Sequence, residues 1–168
     1  AHVAENGKVK VLVVDDHWEN RAVVIQLLTP LGFIVAEAAN GREALEKAPE
    51  WHPDVILMDL VMPVMDGFTA TRQLRQIPEL KEMLIIALSA STFDVHHQES
   101  SEAGCDDFVA KPFRVETLLE CLQKHLHLTW IYEQPAVRLK TPVQHEVGEA
   151  AVELVRPSTE RLAMLAKL

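Results

Sequence analysis

The chain has 168 residues, 48% of them apolar, and carries a formal net charge of −9. This length suits one domain of about 100 to 150 residues plus an extension, and the acidic balance argues against a nucleic-acid-binding surface, which concentrates Lys and Arg. No run of about 18 uncharged apolar residues is present and "AHVAENGKVK" lacks the apolar stretch of a signal peptide, so no direct membrane insertion and a cytoplasmic location are expected.

Short apolar runs alternate with segments of helical period as far as about residue 128. "KVLVVDD" (10–16) reads as a first strand, followed by the helical "ENRAVVIQLLTPLG". "FIVAEAA" (33–39) is a second strand, leading into "GREALEKAPEWH", and "DVILMDL" (54–60) a third, before "DGFTATRQLRQIPE". "LIIALSA" (84–90) and "DDFVAKP" (106–112) complete the strands, with "DVHHQESSEAG" between them and "RVETLLECLQKHLHL" after. The third and fourth runs are apolar without alternation, as strands covered on both faces must be. In the last helix Val115, Leu118, Leu119, Leu122 and Leu126 fall on one face. The fourth helix offers only Val95 and Ala103 to bury and is expected to dock least firmly.

Strand and helix in strict alternation imply right-handed crossovers and an α/β fold, a doubly wound parallel sheet with helices on both sides. In such sheets ligands gather beyond the carboxyl ends of the strands. Those ends carry Asp15 and Asp16, then Asp59, Ser89, and Lys111 followed by Pro112. Singly each has an ordinary explanation: a helix cap, a strand-end hydroxyl, a solvated charge. Together, three carboxylates within about 4 to 5 Å repel by several kcal/mol per pair at an effective dielectric near 20, so the cluster needs a cation. Oxygen ligands without His or Cys favour a hard ion, and a site with room for water suits Mg²⁺. A metal, a carboxylate nucleophile, an ammonium and a hydroxyl together describe a phosphoryl-acceptor site. Spacing alone does not say which Asp attacks; the Asp15–Asp16 pair is the natural metal clamp, and Asp59 the better acceptor.

With these motifs in order, "VLVVDD", "VILMDLVMPVMDG", "LIIALSA" and "FVAKPF", residues 8–128 resemble the receiver domain of two-component response regulators. The resemblance implies a five-stranded, flavodoxin-like sheet in the order 2-1-3-4-5. It implies that Asp59 is the phosphoacceptor and that Asp15, Asp16, Asp59 and the backbone carbonyl of Val61 hold Mg²⁺. Ser89 and Lys111 would hold phosphoryl oxygens, Ser89 and Phe108 would act as the switch pair, and the Lys111–Pro112 bond would be cis. The implied donor is a histidine kinase, a histidine phosphotransfer protein or a small phosphodonor, with a readout on the face of helix four, strand five and helix five. No ATP-binding kinase core is present, so the chain would catalyse only its own aspartyl phosphorylation and dephosphorylation. Two other readings compete. A pseudo-receiver that only binds partners is disfavoured by the complete set of site residues. An aspartyl-phosphate hydrolase usually carries a second Asp two residues beyond the nucleophile, where this sequence has Val61.

Other residues invite chemistry less strongly. Cys105 and Cys121 fall outside any CxxC or metal-spaced pattern and read as buried small hydrophobes. The eight histidines read as surface residues, since His96–His97 and His125–Leu126–His127 are not spaced as helical chelates. Trp18 reads as a packing residue at a helix start, beside the metal site.

The extension, 129–168, contains Pro135, Pro142 and Pro157, which favour an extended connection, and ends in a helical stripe of Leu162, Leu165 and Leu168 capped by Ser158. It resembles segments that follow receivers in hybrid sensor kinases, and reads as a linker, a folded-back segment or a dimerisation element. The missing initial Met and the break within "TERLAMLAKL" point to a piece of a longer protein, whether or not that parent is membrane-anchored.

Overall fold

Five short runs rich in Val, Ile and Leu pair side by side in the computed structural model, which describes the backbone of residues 2–3, 8–90 and 94–131 and the side chains of 8–90 and 96–130. They are β1 (Lys10–Val14), β2 (Ile34–Ala38), β3 (Val55–Asp59), β4 (Leu84–Ser89) and β5 (Asp107–Ala110). All neighbours are parallel and the order is β2-β1-β3-β4-β5, which is the expected 2-1-3-4-5. The chain leaves β1 to one side to form β2, then returns past β1 to form β3. The order therefore reverses between β1 and β3, and a crevice opens at their carboxyl ends.

The helices are α1 (Trp18–Leu28), α2 (Gly41–Trp51), α3 (Gly67–Leu74), α4 (Asp94–Ala103) and α5 (Val115–Leu126). Alternate strand residues divide the core in two. Val11, Val13, Val55, Leu57, Ile86 and Leu88 meet Val24 and Leu28 of α1 and Leu118 and Leu122 of α5. On the other face, Leu12, Val14, Ile56, Met58 and Ile85 meet Ala44 and Ala48 of α2 and Ala70 and Leu74 of α3. Every residue of β3 is buried, which accounts for its unbroken apolar sequence. Along α4, the described side chains bury only the small Ser100 and Ala103, in keeping with the weak apolar face expected of it.

Two caps fix helix starts near the strand ends. The Asn40 side chain accepts from the Glu43 N–H at the head of α2, and Asp66 accepts from the Thr69 N–H at 2.8 Å at the head of α3. Gly67 follows Asp66 for a steric reason: a Cβ there would lie 2.1 Å from the carbonyl oxygen of Asp59. The head of α3 thus rests directly on the strand end that carries Asp59.

One pairing was not legible from the periodicity. The two-residue strands His2–Val3 and Trp130–Ile131 form an antiparallel pair, His2 against Ile131 and Val3 against Trp130. Strands this short carry no period to read, and their partners lie at opposite ends of the domain. The side chain of Trp130 adds an edge contact to Phe33, with ring centroids 6.4 Å apart. Of the extension, the helical stripe of Leu162, Leu165 and Leu168 and its Ser158 cap lie outside the described residues. Among the described residues no helix is long and apolar enough to cross a membrane.

Candidate functional site

Each residue of the site is delivered by the end of a strand or the turn after it. Asp15 directly follows β1 and is 2% exposed; Asp59 closes β3 and is 7% exposed. Ser89 closes β4 and is fully buried, opposite Ala110 of β5, so the next residue, Lys111, enters from the same edge. The Lys111 N–H donates to the Ser89 carbonyl at 2.6 Å, and the Lys111–Pro112 peptide is cis, as the resemblance implies.

The Lys111 ammonium bridges two carboxylates. Its Nζ donates to Asp15 Oδ2 and, at 3.0 Å, to Asp59 Oδ2. Asp15 is held further by the His17 N–H at 2.9 Å and by Asn20 Nδ2 at 3.1 and 3.0 Å to its two oxygens. Asp59 Oδ1 accepts from the Val61 N–H at 3.2 Å. Burial works to raise the Asp15 carboxyl, but the Lys111 bond, the His17 N–H and Asn20 outweigh it and hold the group below its ordinary value. At Asp59 burial wins: the carboxyl is raised, the Lys111 charge and the Val61 N–H offsetting it only in part, with the Asp15 charge adding to the rise. Lys111 loses from burial but gains more from its two carboxylates, and its ammonium is held above the usual lysine range.

Asp16 is turned differently. Its Oδ1 is buried and without a hydrogen bond, although His17 Nδ1 lies 3.0 Å away in an ion-pair contact that lacks hydrogen-bond alignment. A buried carboxylate oxygen left open beside Asp15, with His17 Nδ1 also within 4.8 Å, is a position where a cation belongs. Three carboxylates against one ammonium leave a surplus of negative charge, and the side-chain donors of Asp15, Asp16 and Asp59 are all hard oxygens. The residues present therefore fit Mg²⁺. Val61, whose carbonyl the resemblance adds to that set, is 64% exposed at the mouth of the turn after β3.

Phe108 stands apart from this cluster, half-buried on β5, with its ring 5.3 Å from that of His97 on α4. Asp15, Asp59, and Lys111 come together as expected, with Asp16 beside them and Ser89 in the adjoining strand end. Three contributors were missed by sequence reasoning. Asn20 lies five residues after Asp15, in the first turn of α1, and its side chain returns to the carboxylate. Arg21 donates to the Asp15 carbonyl at 2.7 Å. The His17 N–H closes the turn. Only the phase of α1 relative to β1 brings them back, and that phase is set by Val24 and Leu28 packing on the sheet.

Three expectations are corrected. Trp18 does not pack: it is 66% exposed at the first residue of α1, because the buried face of that helix is taken by Val24 and Leu28. The histidines are not all surface groups, since His125 keeps only 21% of its side chain exposed and bonds Asp107 at 2.7 Å. Cys121 is buried as expected, but Cys105 is only half-buried, 3.7 Å from the Thr71 hydroxyl.

An open cleft of about 480 Å³ lies beside Asp15 and Lys111, walled by Val23 and Val24 of α1 and by Pro112 and Phe113 after β5. Val23 in that wall is more than half exposed, as are Trp18 at the start of α1 and Val61 and Val64 in the turn after β3. Val64 has a φ of 72°, a conformation that β-branched residues adopt at a cost, in the turn between Asp59 and the head of α3.

Comparison with known proteins agrees with this architecture. Over 119 residues the chain is 39% identical to the chemotaxis protein CheY of Bacillus subtilis, covering 70% of this chain and 98% of that protein. The receiver domain of the sensor histidine kinase PA1611 of Pseudomonas aeruginosa, solved with a magnesium ion coordinated in its active-site cleft, superimposes with a TM-score of 0.66 at 35% identity, over 70% of this chain and 97% of that one. The receiver domain of Saccharomyces cerevisiae Ssk1, solved in complex with the histidine phosphotransfer protein Ypd1, gives a TM-score of 0.66 at 28% identity, over 70% and 88%. Residues 11–123 match the family profile described as the response regulator receiver domain. The strand order, the strand-end carboxylates bridged by a lysine, and these matches have one meaning: the chain belongs to the response regulator receiver domain family, the CheY-like receivers of two-component signalling.

Proposed function

We propose that this chain is a phosphorylatable receiver that takes a phosphoryl group onto Asp59 in an Mg²⁺-dependent reaction. The observation that carries the reading is the Lys111 bridge: one ammonium spans Asp15 and Asp59, while Asp16 Oδ1 is buried with no hydrogen bond. Asp15, Asp16, Asp59 and the Val61 carbonyl would hold Mg²⁺, which when bound neutralises the phosphoryl oxygens and lets an anion approach three carboxylates.

Asp59 is suited to attack. Its raised carboxyl signals a charge that the folded chain stabilises incompletely, and an anion held that way gains by sharing its charge with phosphorus. An Asp59 oxygen forms the new P–O bond as the P–N bond of a donor phosphohistidine breaks, and the imidazole leaves with the bonding pair. Lys111 follows the transferred charge, pairing with a phosphoryl oxygen, and Ser89 holds another. Water attack on the same phosphorus later restores Asp59, so the chain catalyses both its modification and its reversal.

The donor is a histidine kinase or a histidine phosphotransfer protein, docked over the exposed apolar side chains of Trp18 and Val23 on α1 and of Val61 and Val64 in the turn after β3. Readout runs through Ser89 and Phe108 to the face of α4, β5 and α5, which engages a neighbouring domain or a second copy. The receiver proper is assigned to 8–128, with 129–168 as linker or partner-binding extension in a cytoplasmic portion of a hybrid sensor kinase or other multidomain protein. A binding-only pseudo-receiver has no residue of the set missing to recommend it.

Intact-mass measurement after incubation with acetyl phosphate and Mg²⁺ tests this. The expected result is a gain of one phosphoryl group that is abolished by Asp59→Asn and by chelation of the metal. No gain with acetyl phosphate or with a phosphorylated histidine phosphotransfer donor would overturn it.

A further inference from the structure

A second cluster of ligating side chains lies on the seam between β5 and α5, clear of the carboxylates at the strand ends. Cys121 and His125 are four residues apart on α5 and so share one face of the helix, and Asp107 is the first residue of β5. Asp107 Oδ2 lies 2.7 Å from His125 Nε2 and 3.6 Å from Cys121 Sγ, and all three donor atoms lie within 4.8 Å of one another. We propose that Asp107, Cys121 and His125 form a site for a borderline-soft divalent ion of the zinc class.

The donor chemistry differs from that of the strand-end site. One sulfur, one imidazole nitrogen and one carboxylate oxygen select zinc-class ions, whereas the carboxylates of Asp15, Asp16 and Asp59 select a hard ion. A tetrahedral zinc site separates its ligand atoms by roughly 3.3 to 3.7 Å, so the His125–Asp107 contact has only to open by about half an ångström or more. Cys121 is buried at 9% exposure, while His125 and Asp107 keep 21% and 26% of their side chains exposed, leaving an outer side on which water completes the coordination.

Protons and charge balance. Cys121 binds as the thiolate and releases its proton to solvent, and His125 presents the Nε2 lone pair with its remaining proton on Nδ1. Thiolate and carboxylate then cancel the charge of the dication. Without an ion, Lys124 supplies part of that charge, with Nζ 3.1 Å from Asp107 Oδ2; its side chain is 69% exposed and free to swing into solvent. The site also sits one residue from Phe108, so an ion would tie α5 to the strand that carries the ring packed against His97.

The test is a Co²⁺ titration of the full chain, reduced with a phosphine and held in excess Mg²⁺ to keep the oxygen site saturated. Expected are a thiolate-to-cobalt charge-transfer band in the near ultraviolet and intense tetrahedral bands in the visible, saturating at one ion per chain and displaced by Zn²⁺. Cys121→Ser is expected to remove the charge-transfer band, His125→Gln to weaken Co²⁺ binding at least tenfold, and Cys105→Ser to change nothing. If Cys121→Ser does not fold, the more exposed His125→Gln and the thermal shift given by Zn²⁺ carry the same comparison. Absence of the band in the unaltered chain overturns the proposal, as does a band that survives Cys121→Ser or vanishes with Cys105→Ser. No phosphoryl donor is used, so the outcome is independent of whether Asp59 is modified.

Discussion

Asp59 and Asp107 are the same side chain at opposite ends of neighbouring parts of the sheet, one closing β3 and the other opening β5, and their surroundings drive them in opposite directions. Asp59 shares one ammonium with a second buried carboxylate, and burial raises it. Burial also works to raise Asp107, but the His125 bond, the Phe108 N–H and Lys124 outweigh it and bring the group down to about 2. The difference separates a carboxylate that is fully paired from one kept short of partners. A group kept short of partners costs the fold something and is available for chemistry; a satisfied one holds two elements together.

The largest test of that contrast is Lys111→Met. It strips the shared ammonium from two carboxylates that stay buried, and unfolding by urea is expected to show a loss of about 3 kcal/mol in the absence of divalent metal. Most of the loss should return when Asp59→Asn is added, because one of the stranded charges is then gone. An undiminished loss in the double variant would mean that Lys111 acts through packing.

Next comes the same substitution at the two aspartates. Asp107→Asn is expected to destabilise by about 1 to 2 kcal/mol, a figure discounted for the partial exposure of the group. Asp59→Asn is expected to stabilise by about 1 kcal/mol, since it removes a charge that the fold disfavours. Equal signs would break the comparison.

The acid limb of stability separates the pair by pH. The Asp107 carboxyl titrates near 3.8 in the unfolded chain and about 2 in the folded one, so its contribution is complete above about pH 4 and is lost as the pH falls from about 4 to about 2. Asp59 has the opposite sign: its contribution is present below its unfolded value of 3.8 and is lost as the pH rises through the higher folded value. Urea midpoints measured against pH should therefore flatten below about pH 4 in Asp107→Asn. In Asp59→Asn the change should fall above that point. The smallest effect is expected from Lys124→Ala, below about 0.5 kcal/mol, because this lysine is mostly in solvent whereas Lys111 is not.

Much of the fold was legible because the strands carry their own evidence. β3 is apolar at every position since both faces are covered, and its single acidic residue stands where cover ends. Asp15, Asp16, Asp59 and Lys111 could be grouped because the carboxyl ends of parallel strands share one edge, a property of topology that needs no coordinates. What escaped reading depended on rotation and on distance along the chain. Asn20 and Arg21 return to Asp15 only through the phase of α1. Sequence reasoning found no metal-type spacing at Cys121 and read His125 as a surface residue; the two share a face of α5, but their third partner, Asp107, comes from a strand and gives no signal in the sequence around it. The pairing of His2–Val3 with Trp130–Ile131 joins segments too short to have a pattern.

That last pairing has a mechanical consequence. His2 faces Ile131 and Val3 faces Trp130, so the chain enters and leaves at the same end of the little ladder. Tension applied between entry and exit would open its bonds one after another, like a zip, instead of loading them all at once in shear. The sheet within would be spared until the clasp had parted, leaving the domain tethered by a fastening that yields first and closes again when the pull is released.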